Sequence, residues 1–319
     1  MRFSKQLGLV LLLPTVSNFC FAEDVTFNGF MSAGMGYLDV EDPEALLRLD
    51  PQSIYNDQYF AFKDGEINLD NLTKFGFQLN GNIDDAIAIT AQLVSEGIDD
   101  YDTFIEWAYV SYRFNNSLTG RVGRLRIPYY MYSDILDVGY AYPWINPPLE
   151  TYNLPFSSFD GFDFIHTASF GNWYSLVQFY YGSNKESDVL VNSFAENFDF
   201  EIDNLAGIAW TFSNDYLSFR LGYHYNSGIS VNSPSIDATN QQLLALSSTL
   251  LDVANTVEAL SPAAESFAEV AEALRIENKK TDYLTLGLEA DWNNFLFISE
   301  WTSINFEPGL IMDTSSWYT

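Results

Sequence analysis

The sequence predicts an all-β chain, an antiparallel β-barrel that spans a membrane. Three observations carry this. Apolar and polar residues alternate over many short segments. The links between those segments alternate between long and very short. No stretch after the first 22 residues is continuously apolar for the roughly 18 residues that a membrane helix needs. Aromatic residues make up 17% of the chain, yet mean hydropathy is −0.05. Alternation accounts for the pair, because each apolar side chain sits beside a polar one and the average cancels.

The first 22 residues read as a secretory signal. Arg2 and Lys5 supply the positive start, and Leu7 to Val16 a short apolar run. Cys20-Phe21-Ala22 places small residues at the first and third positions, so cleavage is expected between Ala22 and Glu23. A membrane anchor fits less well, since the run is short and Pro14 interrupts it. Ser17-Asn18-Phe19 before Cys20 do not form a lipoprotein signal. Cleavage removes the only cysteine, so the barrel over 23–319 folds without disulfides. It also leaves 12 basic against 43 acidic residues, a formal charge of −31. Such a balance argues against nucleic acid as a partner. The aromatic content argues against an acidic disordered chain.

Eleven strands follow, near 25–38, 74–82, 86–95, 104–114, 118–126, 161–170, 172–182, 204–212, 216–226, 282–292 and 295–304. In the ninth, Leu217, Phe219, Leu221, Tyr223 and Tyr225 form one face, and Ser218, Arg220, Gly222, His224 and Asn226 the other. The tenth repeats the pattern. In 104–114 either parity can be read as the apolar one. Even-numbered links are tight turns rich in Gly, Asn, Asp and Ser, such as Gly81-Asn82-Ile83-Asp84, Gly171-Asn172 and Asn293-Asn294. Odd-numbered links are long: 39–73, 96–103, 127–160, 183–203 and 227–281. Short turns at one end and long loops at the other are what an outer-membrane barrel has.

Residues 236–277 break the rhythm. Leu243, Leu244, Leu246, Leu250, Leu251, Val253, Val257 and Leu260 recur at helical spacing, and Ala263 to Ala273 follow with Phe267 and Val270. Ser261 and Pro262 suit the start of a second helix. The fifth long loop therefore carries a helical insertion. It is either a gate, plug or subunit contact, or an insertion whose apolar faces pack on each other.

The stretch 121–154 runs Arg121-Val-Gly-Arg124-Leu-Arg126-Ile-Pro128, then Ser133-Asp134, Asp137, Gly139 and Pro143-Trp144 to Pro147-Pro148. These residues resemble the strand and third loop of Gram-negative outer-membrane porin-like proteins. Gln92-Leu93, the segment Glu106 to Tyr112, and Asp160-Gly161-Phe162-Asp163 fit the same pattern, and the resemblance covers about 74–305. It implies a third loop folded into the barrel, where acidic loop residues face basic wall residues across a narrowing. The pore-constriction residues would be Arg124 and Arg126, which share parity, with Asp134, Asp137 and Glu150 from the loop. Arg121 has the opposite parity and falls nearer the periplasmic rim. Loop packing is the favoured role for Tyr129, Tyr130, Tyr140, Tyr142 and Trp144.

Eleven strands is an odd number, and an open barrel would leave unpaired edges in lipid. Ser315-Ser316-Trp317-Tyr318-Thr319 reads as the start of a twelfth strand. The expectation is a C-terminally truncated record of a barrel of about 16 strands; a 12-stranded barrel is the alternative.

The predicted function is a porin: a water-filled channel for small hydrophilic solutes and ions, homotrimeric, with membrane lipid and lipopolysaccharide around it. The alternative is a structural or adhesin-type barrel whose acidic external loops, such as Asp99-Asp100-Tyr101-Asp102, bind ions. His166 and His224 are the only imidazoles, and neither lies near a recognisable nucleophile motif, so no enzyme is expected. No metal or cofactor is expected either.

Overall fold

A computed structural model of the chain describes residues 24–37, 67–148, 151–152, 154, 156–191, 196–254, 261–307 and 313–319. Twelve strands form one sheet: β1 Asp24–Ser32, β2 Lys74–Asn82, β3 Ile87–Glu96, β4 Thr103–Asn115, β5 Leu118–Arg126, β6 Ser158–Phe170, β7 Trp173–Val191, β8 Glu196–Ser213, β9 Leu217–Asn232, β10 Ile276–Trp292, β11 Phe295–Phe306 and β12 Thr314–Tyr318. Each pairs antiparallel with its neighbours in sequence order, so the sheet is a pure meander. Among the described residues β1 and β12 do not pair with each other. A two-residue bridge, Gly36–Tyr37 with Ile67–Asn68, stands beside the main sheet.

The turns at one end are fixed by local side-chain acceptors. Asp84 Oδ1 accepts from the backbone N–H of Ala86 and Ile87, both at 2.7 Å. Asn214 Oδ1 accepts from Tyr216 and Leu217 N–H at 2.8 and 2.9 Å. Asn115 does the same for Ser117. These are Asx turns, in which a short polar side chain stands in for a backbone acceptor. Gly171 and Asn293 supply left-handed backbone, with φ of 65° and 57°. The long connections all lie at the other end.

The two faces of the sheet are inverted relative to a soluble protein. In β9, Phe219, Leu221 and Tyr223 are more than two-fifths exposed, while Gly222, His224 and Asn226 are buried. In β10 the buried residues are Thr281, Tyr283 and Thr285, and Leu286 is exposed. In β8, Ile208 and Trp210 point outward and Gly207 and Ala209 inward. The polar parity therefore faces the enclosed side.

The enclosed side is concave. Laid flat at about 4.8 Å per strand, β1 and β12 would stand about 53 Å apart. Yet a methyl group added at Gly139 would lie 3.0 Å from Ser32 Oγ in β1, and Thr151 Oγ1 lies 3.4 Å from Ser316 Oγ in β12. Trp144, only five residues on from Gly139 and so at most about 18 Å from it along the chain, already stands edge-on to Tyr318 of β12 at 5.4 Å. The sheet must curl for one segment to touch both edge strands.

Several expected boundaries change. The segment 183–203 is not a loop: β7 and β8 continue through it as a long hairpin, with residues 192–195 outside the described set. Register shifts between Phe198 and Phe200 and between Ile202 and Leu205 break the alternation there, which hides the strand from a period-two reading. β9 and β10 likewise run on to Asn232 and start at Ile276. The helical insertion thus starts two residues before 236 and ends three before 277, with α1 at Pro234–Ala254 and α2 at Ser261–Leu274. Neither helix is long and apolar enough to cross a membrane, which says nothing about strands. The first strand ends at Ser32, not near 38.

The ambiguous parity of 104–114 has a cause. Gln92 pairs with Trp107 and Leu93 with Ile105, so Glu106 is one extra residue in β4. Before it Ile105 is exposed; after it Val110, Tyr112 and Phe114 are. The bulge switches the outward parity from odd to even.

Gly123 in β5 has φ of 136°, and a Cβ there would lie 2.2 Å from the Ala108 carbonyl oxygen. Gly123→Ala is therefore expected to disturb the β4–β5 register and lower the yield of folded barrel, read by heat-modifiable gel mobility. An unchanged yield would show that the strands can separate there without cost.

Candidate functional site

The long connection from β5 to β6, residues 127–157, lies against the concave face. Its first turn follows from Pro128, and Tyr130 N–H donates to Ser133 Oγ at 2.8 Å to start a short 3-10 turn over Ser133–Ile135. From there it meets both walls.

On the near wall the contact is ionic. Arg126, at the end of β5, is buried and pairs with loop Asp137 and with Glu106 at 3.1 Å. Asp137 also lies 3.5 Å from Lys74 Nζ in β2, which itself pairs with Glu96 at 2.9 Å. Ser157 Oγ donates to Glu106 at 2.7 Å. The extra residue at Glu106 is what turns that carboxylate into this cluster. Arg126 also stacks over the Trp107 ring, 5.8 Å from its centroid.

On the far wall the anchors are carboxylates of β10 and β11. Glu300 accepts from the Met131 N–H at 2.7 Å and from the hydroxyls of Tyr152 and Tyr318. Tyr132 Oη donates to Glu289 at 2.7 Å. Burial, and then the acceptor carboxylate, push the Tyr132 and Tyr152 hydroxyls above the ordinary phenol range. They keep their protons, and hence their donor role, at any physiological pH. Arg220 of β9 donates to the Pro128 carbonyl oxygen at 2.6 Å and to Thr211 Oγ1 at 3.0 Å.

Between the walls lies an aromatic core. The Tyr129 ring stands edge-on to His224 at 4.8 Å and to Tyr283 at 5.0 Å. Tyr180 and His224 share a 2.6 Å hydrogen bond from Oη to Nδ1. Leu125, Ile127, Phe156, Phe159, Ile202 and Leu205 close around them. Gly207 and Gly287 make room: a Cβ at the first would meet the Tyr180 ring at 2.6 Å, and at the second the Met131 side chain at 2.6 Å.

Of the residues expected at a constriction, Arg126 and Asp137 meet directly. Arg124 turns elsewhere, to Glu186 at 3.1 Å and Asp160 at 3.7 Å, so the two arginines serve separate carboxylates despite their shared parity. Asp134 is exposed on the same loop, three residues before Asp137. Glu150, Ala22 and Glu23 lie outside the described residues. Arg121 is stacked 5.0 Å over Tyr109 and paired with the buried Asp163, which also accepts from Gln178 at 2.8 Å. Tyr129, Tyr130, Tyr142 and Trp144 pack within the loop or against the walls, whereas Tyr140 is exposed.

Sequence reading missed Lys74, Glu106, Glu289 and Glu300 as loop anchors. Glu289 did carry a signal, as a charged residue on the polar parity of β10, opposite Leu284, Leu286 and Leu288. Glu300 shares its parity in β11 with Leu296, Ile298 and Ile304, so alternation does not mark it. Nothing local tells which loop such a residue will meet.

No family model matches the chain, and no curated protein matches it. Among solved structures it is similar to outer-membrane proteins. One is a loop L8 deletion mutant of OmpT of Vibrio cholerae, at 9% identity and a TM-score of 0.28, covering 90% of this chain and 95% of that one. Another is OmpF of Salmonella typhi in complex with daunomycin, at 8% identity and a TM-score of 0.36, covering 88% and 78%. These superpositions are loose.

Proposed function

We propose that this chain is a porin of the bacterial outer membrane, passing small hydrophilic solutes and ions through a water-filled channel as a homotrimer. The inverted sheet supports the reading best: an apolar outer wall, a polar concave wall, and one loop fixed across the latter. Such an outer wall suits lipid, and such an inner wall suits water. The loop narrows the path and presents Asp134 to it.

Protein reconstituted in a planar bilayer is expected to give stepwise conductance. A folded but silent barrel would overturn the channel and favour a structural or adhesin-type barrel. The acidic balance makes the channel cation-preferring. Removing the part-exposed charge of Arg124 by Arg124→Gln is expected to raise that preference and Asp134→Asn to lower it, both read as shifts in reversal potential under a salt gradient. Unchanged potentials in both would remove these residues from the conducting path.

The outer wall gives an independent test. Leu221→Arg is expected to cost about 2–4 kcal/mol of folding stability in vesicles if Leu221 faces the bilayer midplane. Urea unfolding in lipid vesicles measures it, and a neutral result would place that face in water.

A further inference from the structure

The helical hairpin is only half satisfied by its own packing. Along α1 the residues turned toward α2 are Asn240, Leu243, Ser247, Leu250 and Ala254, a three-four spacing that makes a coiled-coil seam. Ala264 and Ala271 of α2 are buried opposite, and Ser247 Oγ donates to the Ala264 carbonyl oxygen at 2.8 Å. Small residues let the helices approach closely. The larger apolar side chains flank the seam and stay about half exposed: Leu244 and Leu251 on one flank, Leu246 on the other, and Val270 on α2.

Charge decides what can cover them. The sequence has no Lys or Arg between Arg220 and Arg275. Asp237, Asp252, Glu265, Glu269 and Glu272 are all exposed on the hairpin, and Asp252 adjoins Leu251. A second copy would bring an equally acidic surface against this one, and so would an anionic lipid surface. A cationic partner meets no such repulsion. We propose that the α1–α2 hairpin is a docking surface for a cationic amphipathic polypeptide, which lays an apolar stripe on Leu244 and Leu251, on one flank of the seam, and sets basic side chains against the nearby carboxylates. This goes beyond channel activity and does not depend on it.

The test uses the whole chain in lipid nanodiscs and a labelled 18-residue Leu/Lys amphipathic helix as probe, with a Leu/Glu helix of equal hydrophobicity as control. Fluorescence anisotropy is expected to show saturable binding of the Leu/Lys probe alone. Leu244→Ser with Leu251→Ser should weaken it at least tenfold, and so should Asp252→Asn with Glu269→Gln. Helical circular dichroism should be retained, because none of these residues lies in the seam. Equal binding of both probes would overturn the proposal, as would Leu/Lys binding that the hairpin substitutions leave unchanged. Dimers of nanodisc-free protein that dissolve on Leu244→Ser and Leu251→Ser would assign the surface to a second copy instead.

Discussion

Arg126→Met should release the β5–β6 loop from the near wall. The substitution leaves Glu106 and Asp137 buried together without the cation that offsets their charges. Removing one partner of a buried ion pair costs about 3–5 kcal/mol, most of it from the charge left behind. Here the loss falls toward the lower end, because Lys74 stays 3.5 Å from Asp137 and Ser157 still donates to Glu106. A docked loop weakened by about 3 kcal/mol is open more than a hundred times as often. Chymotrypsin should then cut within 132–144, a stretch that holds Tyr132, Leu136, Tyr140, Tyr142 and Trp144. In the proposed channel, single-channel recordings should turn noisy and their mean conductance should rise. Adding Glu106→Gln and Asp137→Asn should restore much of the protection, since it removes the stranded charges. Protease resistance and current noise equal to the parent protein would show that the cluster does not hold the loop.

The far wall should respond as strongly to Glu300→Ala. One carboxylate there accepts from a loop N–H, a loop phenol and the β12 phenol. Hydrogen bonds to a charged acceptor contribute about 1.5–3 kcal/mol each, and the donors left behind are buried at Tyr318 and partly buried at Met131 and Tyr152. The loop should lose its hold on β11, and β12 should lose one tie to the same site. Arg126→Met should leave the β11–β12 contact intact, whereas Glu300→Ala should loosen both loop and strand. Amide hydrogen exchange separates them. Faster exchange in 314–318 is expected only in Glu300→Ala, and equal exchange in both variants would remove Glu300 from the role of shared anchor.

Period-two patterns were enough to find eleven of the twelve main-sheet strands, because turns and alternation are local properties. The ninth strand, with Phe219 and Leu221 against Arg220 and His224, was readable to its facing. Two kinds of feature escaped. Bulges hide strands and faces: the extra Glu106 made β4 ambiguous, and the shifts near Phe198 and Ile202 made the top of β7–β8 look like a loop. Long-range partners escape too. Shared parity grouped Arg124 with Arg126, but where each guanidinium ends is set by Glu186 and Asp137, which arrive from different connections. Glu289 and Glu300 lie far along the chain from the loop they hold, and no local pattern links them to it. The helical insertion was legible in type, while its end was overrun by the start of β10 at Ile276, where Asn278 takes a left-handed turn with φ of 52°.

The loop's double attachment bears on the order of assembly. Met131 and Glu300 are 169 residues apart, and Tyr132 and Glu289 are 157 apart. The loop leaves the wall after β5, but its far anchors exist only once β10 and β11 have been laid down. Contacts of such separation form late, since chain closure must precede them. The loop therefore docks as a final clasp. Before that moment the concave face lies uncovered and the loop is a protease-sensitive tether, so protection of 127–157 dates the completion of folding.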